Sequence, residues 1–249
     1  MSPPHSVHKH SEVSLTRWTS FATISAILPA HNEAENISQA VKTLATTLTD
    51  LVPDWEIVVV DDCSQDETAD LVRKLSRNSV HIKLATHPKN LGYGAALKTG
   101  IELARHQLLF VMDADLQFDP AELKTLLPLA QKHDIVLGYR KRRREHLGRR
   151  FNARCWGILM RFLFGLRVQD VNCAFKIFNG RVFNQITIHS RGAMVCSEIL
   201  ILAKKLGFTI KEVPVTHYPR KRGRPSGAKP KTIYRAFSDL ARLYGDLKD

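Results

Sequence analysis

The sequence predicts an α/β fold, a doubly wound and mainly parallel sheet with flanking helices. Three observations lead there. Short apolar runs alternate with helical patterns as far as Arg140. The runs are apolar almost throughout, as strands covered on both faces must be. The segments between them are long enough for the crossover helices that parallel strands require.

In chain order, the predicted strands are ATISAILPA (22–30), EIVVVD (56–61), VHIKLATH (80–87), QLLFVMD (107–113) and DIVLGYR (134–140). Helices are predicted between them at 33–49, 65–77, 92–106 and 119–132. Beyond Arg140 the pattern changes. In 147–166, Leu147, Phe151, Cys155, Ile158, Leu159, Phe162, Leu163 and Leu166 recur at helical spacing, with Arg150, Arg154 and Arg161 in a stripe beside them. CAFKIF (173–178) is a predicted strand, 195–206 a helix, FTIKEVPVTHY (208–218) a strand and 231–247 a terminal helix. Residues 1–20 lack the apolar stretch of a secretory signal and are expected to be a disordered leader. The rest, 21–249, is expected to form one domain.

With 249 residues and 44% hydrophobic content, the chain can bury a sizeable core. No run reaches the roughly 18 apolar residues of a spanning helix. Cys63, Cys155, Cys173 and Cys196 show no paired spacing, so reduced thiols in a cytoplasmic protein are expected. The net charge of +13 favours polyanionic partners: nucleic acid, anionic lipid or phosphorylated substrates. The excess concentrates in YRKRRREHLGRR (139–150) and HYPRKRGRPSGAKPK (217–231). Nucleic acid is set aside, because no helix-turn-helix, zinc finger or RNA-recognition pattern is present and acidic strand ends would repel it.

Ligands of parallel sheets gather outside the carboxyl ends of the strands. Pro29 to Glu33, Asp61-Asp62, Asp113-Ala114-Asp115 and Gly138-Tyr139-Arg140 should therefore share one rim. In LLFVMDADLQFDP (108–120), an extended backbone would turn Asp113, Asp115 and Gln117 to one point and Ala114 away. Two carboxylates about 5 Å apart repel by roughly 3 kcal/mol at an effective dielectric near 20. A magnesium or manganese ion would cancel that repulsion. A shared proton or a helix-capping turn are the alternatives. Asp119 before Pro120 fits the cap, with proline at the first helical position. Asp113 and Asp115 are thus left to the metal, with Gln117 completing the shell directly or through water.

ILPAHNEAENI, VVVDDCSQDET, NLGYGAALKTGIELA and DADLQ, in that order, resemble the family 2 glycosyltransferases. The chain looks nearest to the dolichyl-phosphate mannose synthase-like branch, over about residues 22–245. The resemblance implies a GT-A fold, a nucleotide-diphosphate sugar donor and a polyprenyl phosphate acceptor; with no candidate nucleophile for a double displacement, inversion by a single one is expected. It implies that Pro29, His31, Glu33 and Asp61 hold the nucleoside, and that Ala114 and Gly92 belong to the donor site. Gly92 and Gly94 either admit ligand to the backbone or merely turn the chain. Lys98 reaches either phosphate or solvent. Asp62 would support the turn and Asp66 cap the next helix.

Arg140 is implied as a phosphate clamp. Asp170 either lies near the acceptor phosphate or buttresses an arginine. Arg220, Gly223, Ser226 and Lys229 match a loop that closes over phosphates, with Arg222 and Arg224 beside it. Glu198 stands where hydroxyl-acceptor relatives carry a catalytic base, although the pair here is Ser-Glu rather than Glu-Asp. A lipid phosphate needs no such base, being already anionic. His31 occupies a place where the branch often has tyrosine, which leaves GDP-mannose and a UDP-sugar both open. Segment 147–166 either packs on the sheet or lies on anionic lipid, giving peripheral attachment at a cytoplasmic membrane face.

Overall fold

The computed structural model describes residues 23–141, 147–220, 222 and 230–247. The expected leader, most of the basic run after Lys141, and Gly223, Arg224, Ser226 and Lys229 lie outside them.

Seven strands form one sheet among the described residues, in the order β3-β2-β1-β4-β6-β5-β7. They are β1 (Thr23–Ala30), β2 (Asp54–Asp61), β3 (Ile82–Thr86), β4 (Leu108–Met112), β5 (Ile135–Arg140), β6 (Phe175–Asn179) and β7 (Ile210–Val215). All pairings are parallel except those that β6 makes with β4 and β5. β6 therefore opposes the other six, and those six bring their carboxyl ends to one rim. The helices are α1 (Ile37–Leu51), α2 (Thr68–Arg77), α3 (Tyr93–Leu103), α4 (Leu123–Ala130), α5 (Leu147–Phe164), α6 (Val195–Lys205) and α7 (Pro230–Asp246).

Alternation along β1 divides the core into two layers. Ile24, Ala26 and Leu28 point to one side, where α1 contributes Ile37, Val41, Leu44 and Leu48 and α4 contributes Leu123 and Leu126. Ile27 points to the other, against Leu97 of α3, Ile199 and Leu200 of α6, and Leu240 and Leu243 of α7. Burial on both faces explains why β1 and β2 read as continuous apolar runs.

Helix α5 divides differently from expectation. Trp156, Leu159, Met160 and Leu163 pack into the second layer, and the Trp156 indole N–H donates to Ser197 Oγ at 2.9 Å. Cys155, Ile158 and Phe162, predicted on the same apolar face as Leu159 and Leu163, are exposed. A helix lying in a groove buries a stripe only about 100° wide. The large Trp156, its N–H satisfied by α6, sets where that stripe runs. The side chains of Leu147 and Phe151 lie outside the description.

Candidate active site

The rim carries backbone that ordinary residues avoid. Asn32, Cys63 and Leu116, which follow β1, β2 and β4, adopt φ of 56°, 59° and 59°. Such conformations cost on the order of 1–3 kcal/mol and concentrate where function fixes the chain. The first two loops hold each other. His31 Nδ1 donates to the Asp62 carbonyl at 2.9 Å, and the Asn32 N–H donates to Ser64 Oγ at 2.8 Å. The Gln65 N–H donates to Asn32 Oδ1 at 2.8 Å. Pro29 is buried within β1 opposite Val60.

Asp61 accepts from both the N–H and the hydroxyl of Ser64, so it shapes its own turn. Asp62 supports the next one, accepting from the N–H groups of Leu91 (2.8 Å) and Gly92 (2.7 Å) and from His87 Nδ1 (2.7 Å). Asp66 accepts from the Thr68 N–H at 3.0 Å and so caps α2, and it also holds the Ala34 N–H at 3.1 Å. Burial pushes the Asp66 carboxyl up, but these bonds outweigh it and hold it below the usual value.

The acidic pair is built by a turn, not by strand alternation. β4 ends at Met112, and the chain bends through 114–116 before Asp119 accepts from the Ala121 N–H at 3.0 Å as the expected cap. Gln117 also departs from expectation. Its side-chain nitrogen donates to the Tyr218 carbonyl at 3.0 Å, and its own carbonyl accepts from the Tyr218 N–H at 2.8 Å. The side-chain amide nitrogen thus clips the 217–218 segment onto the turn. Ala114, expected in the donor site, is packed into the core and presents only backbone.

Asp113 Oδ1 is buried and has no hydrogen-bond partner among the described residues. Burial, then the neighbouring Asp115, pushes the Asp113 carboxyl up to about 7, while the Tyr93 hydroxyl bonded to it and Lys176 pull it down. Burial also raises Asp115, against the Gln117 N–H at 3.1 Å and the charge of Arg220. The Tyr93 hydroxyl is in turn held well above its ordinary value by burial and by Asp113. Tyr93 and Lys176 were not singled out from sequence. Lys176 is 2% exposed inside β6, with Nζ donating to the Val171 carbonyl at 2.8 Å. A lone lysine within CAFKIF was the available signal. His217, also passed over, is buried with its ring edge-on to Phe118 at 5.4 Å.

Arg220 bridges this pair to the first loop, contacting Glu33 and lying 3.6 Å from Asp115. Glu33 also accepts from Asn36 Nδ2 at 2.8 Å. Arg140 grips Asp170 through two bonds, Nε at 2.6 Å and Nη2 at 2.9 Å. Of the two readings of Asp170, the structure shows the buttress. Two parallel bonds fix the guanidinium plane as well as its position.

Four residues singled out from the sequence are placed elsewhere. Gly92, at φ 102°, and Gly94 make room for protein backbone rather than ligand. A Cβ on either would lie 2.5 Å from the carbonyl oxygen of Arg191 or Ser190, respectively. Lys98 lies on the exposed side of α3, 3.9 Å from Glu102, because its helical position faces away from the sheet. Glu198 is buried, and its two oxygens accept from the N–H groups of His189 (2.9 Å) and Ser190 (2.8 Å). A carboxylate so engaged braces a loop and is poorly placed as a base.

The donor set fits a metal of a particular kind. Among the described residues no group of three or more His, Cys, Asp or Glu forms a cage. Two carboxylates, one with a buried unpartnered oxygen, suit a magnesium-like ion that keeps waters and shares substrate phosphates.

Solved structures share this architecture. Glucosyl-3-phosphoglycerate synthase from Mycobacterium tuberculosis, in complex with Mn2+, UDP and glucosyl-3-phosphoglycerate, superposes with a TM-score of 0.71 at 20% identity. The match covers 90% of this chain and 80% of that one, and the shared fold is GT-A. Among curated proteins, dodecaprenyl-phosphate galacturonate synthase of Rhizobium johnstonii is 27% identical over 209 residues, 80% of this chain and 60% of the relative. Undecaprenyl-phosphate 4-deoxy-4-formamido-L-arabinose transferase of Salmonella choleraesuis is 28% identical over 203 residues, 80% of this chain and 61% of the relative. The chain thus spans about three-fifths of the length of these relatives. The family model described as glycosyl transferase family 2 matches residues 25–188, and with the acidic turn and the two-layered sheet in place, the chain belongs to that family.

Proposed function

We propose that the chain is a metal-dependent inverting glycosyltransferase that moves a sugar from a nucleotide diphosphate to a polyprenyl phosphate. The observation that carries this reading is the buried, unpartnered Asp113 oxygen beside Asp115 at the carboxyl end of β4. Asp113 and Asp115 would hold magnesium or manganese, which when bound neutralises charge developing on a leaving diphosphate. Arg220, already against Asp115 and Glu33, brings a further cation to that side, with Ser226 and Lys229 following it in sequence. Arg140, its plane set by Asp170, is offered to the acceptor phosphate. That phosphate attacks as an anion, so the engagement of Glu198 in bracing a loop is no obstacle. His31, Glu33 and Asp61 shape the loops where the nucleoside would sit.

Mannose from GDP-mannose follows from the resemblance of the four motifs. A UDP-linked sugar is the second reading, favoured by the UDP in the M. tuberculosis complex that shares the fold. Membrane contact would be peripheral. No described helix is long and apolar enough to cross a membrane. On α5, Ile158 and Phe162 are 64% and 84% exposed, with Arg154 and Arg161 exposed beside them. Apolar side chains flanked by arginines suit an anionic cytoplasmic leaflet.

The test incubates purified protein with manganese, polyprenyl phosphate and radiolabelled GDP-mannose, UDP-glucose or UDP-N-acetylglucosamine. Label entering the organic phase from one donor, and lost in Asp113→Asn, is the expected result. Free sugar released equally from every donor would rule out the lipid acceptor.

A further inference from the structure

A second cleft, of about 370 Å³, opens between the 189–192 loop and α7, lined by His189, Arg191, Arg235, Asp239 and Arg242. We propose that it is an anion site that takes a phosphate group, separate from the aspartate pair and independent of the transfer reaction.

Charge is the first argument. Three arginines and one carboxylate line the cleft, and among the described residues the ion pair between them is Arg242 to Asp239 at 3.4 Å. Arg191 and Arg235 make no side-chain hydrogen bond or ion pair among the described residues. Arg191, Arg235 and Arg242 all line one concavity. Positions 235, 239 and 242 fall on one face of α7 at helical spacing, so the helix itself aims them together. Guanidinium forks are the side chains best matched to the oxygens of phosphate.

Preorganisation is the second. Glu198 holds the N–H groups of His189 and Ser190, and the Arg191 carbonyl accepts from the Gly94 and Ala95 N–H groups at 2.9 and 3.3 Å. The loop wall is therefore fixed from behind before any ligand arrives. Gly92 and Gly94 supply the room for it, and Tyr93 between them bonds Asp113. Asp239, with Oδ2 buried and unpartnered among the described residues, keeps the arginines spaced and can accept from a protonated phosphate.

The phosphate can be a lipid headgroup or a free phosphate ester. Tyr234, next to Arg235 in sequence, is exposed on α7.

Calorimetric titration with inorganic phosphate, without metal, tests the site in three proteins whose folding is checked by thermal unfolding. The native chain and Asp113→Asn/Asp115→Asn should bind alike. Arg235→Gln/Arg242→Gln should bind at least about tenfold more weakly, having lost two charge-assisted donors. Should that variant misfold, Arg191→Gln replaces it, with the same loss expected in smaller degree. Undiminished binding in the arginine variants, or none in the native chain, overturns the proposal. A second arm uses phosphatidylcholine vesicles with and without phosphatidylglycerol. Displacement of phosphate by the anionic vesicles alone identifies a lipid headgroup, and equal indifference to both identifies a soluble phosphate.

Discussion

Replacing Asp113 by asparagine should stabilise the metal-free protein above neutral pH. The folded carboxyl holds its proton until about pH 7, whereas an unfolded one gives it up near 3.8. Between those values the folded state binds more protons, so stability falls as pH rises from about 4 to about 7 and then levels off. The gap corresponds to roughly 4 kcal/mol, at about 1.4 kcal/mol per tenfold change in proton affinity. That is a large fraction of the 5–15 kcal/mol that holds a typical domain together. Asparagine carries no charge, and its side-chain oxygen can still accept from Tyr93. Urea unfolding in EDTA at pH 5 and pH 8 measures the effect. The native protein should lose about 3 kcal/mol between the two and the variant little, so that the variant is the more stable at pH 8. Manganese together with GDP or UDP at pH 8, without EDTA, should stabilise the native protein more than the variant. Parallel pH dependence in the two proteins would refute the idea that Asp113 is forced to ionise in a buried site.

Three further outcomes follow from contacts already described. Gly92→Ala places a Cβ 2.5 Å from the Arg191 carbonyl at a φ of 102°, and should cost at least about 2 kcal/mol in thermal unfolding. Glu198→Gln turns a donor toward one of two backbone N–H groups and should cost roughly 1–3 kcal/mol while transfer activity persists below the lowered melting point. Abolished activity with the fold intact would return Glu198 to catalysis. Ile158→Glu/Phe162→Glu changes side chains that are mostly exposed, so the melting temperature should hold while sedimentation with anionic vesicles declines.

Much of the architecture was legible because it follows from short-range rules. Runs buried on both faces fix the strands, and Asp119-Pro120 announces a helix start that the Ala121 N–H confirms at 3.0 Å. What escaped depends on partners distant in sequence. Nothing in FKIFN tells that β6 runs against its neighbours, since direction is set by the chain between Arg140 and Phe175. The divided face of α5 hangs on Ser197, which takes the Trp156 N–H. Asn32 is a residue that tolerates positive φ, but Cys63 and Leu116 give no such warning. The acidic pair was found by an argument from strand alternation that the bend at 114–116 does not honour. The identity of the pair survived because any tight turn between two aspartates at a strand end brings them close.

The charge balance around that turn says how the metal should arrive. Asp113 is influenced by Asp115 and Glu33 on one side and by Lys176 on the other, while Asp115 and Glu33 share Arg220. Three carboxylates thus meet two cations, with one carboxyl oxygen unpartnered among the described residues and its group pushed up to about 7. A divalent ion alone would overshoot this small negative surplus and still lack most of its oxygen ligands, since among the described residues no group of three or more His, Cys, Asp or Glu is arranged to hold it. A diphosphate supplies both the missing oxygens and the missing negative charge. Manganese should therefore bind weakly by itself and at least about tenfold more tightly with GDP or UDP present, a coupling of about 1.4 kcal/mol or more that must act equally on the nucleotide. Titrating manganese by its effect on water relaxation, with and without each nucleotide, measures that coupling. Equal manganese affinity in both conditions would mean that the aspartates form a self-sufficient cage, which the two-carboxylate geometry does not provide.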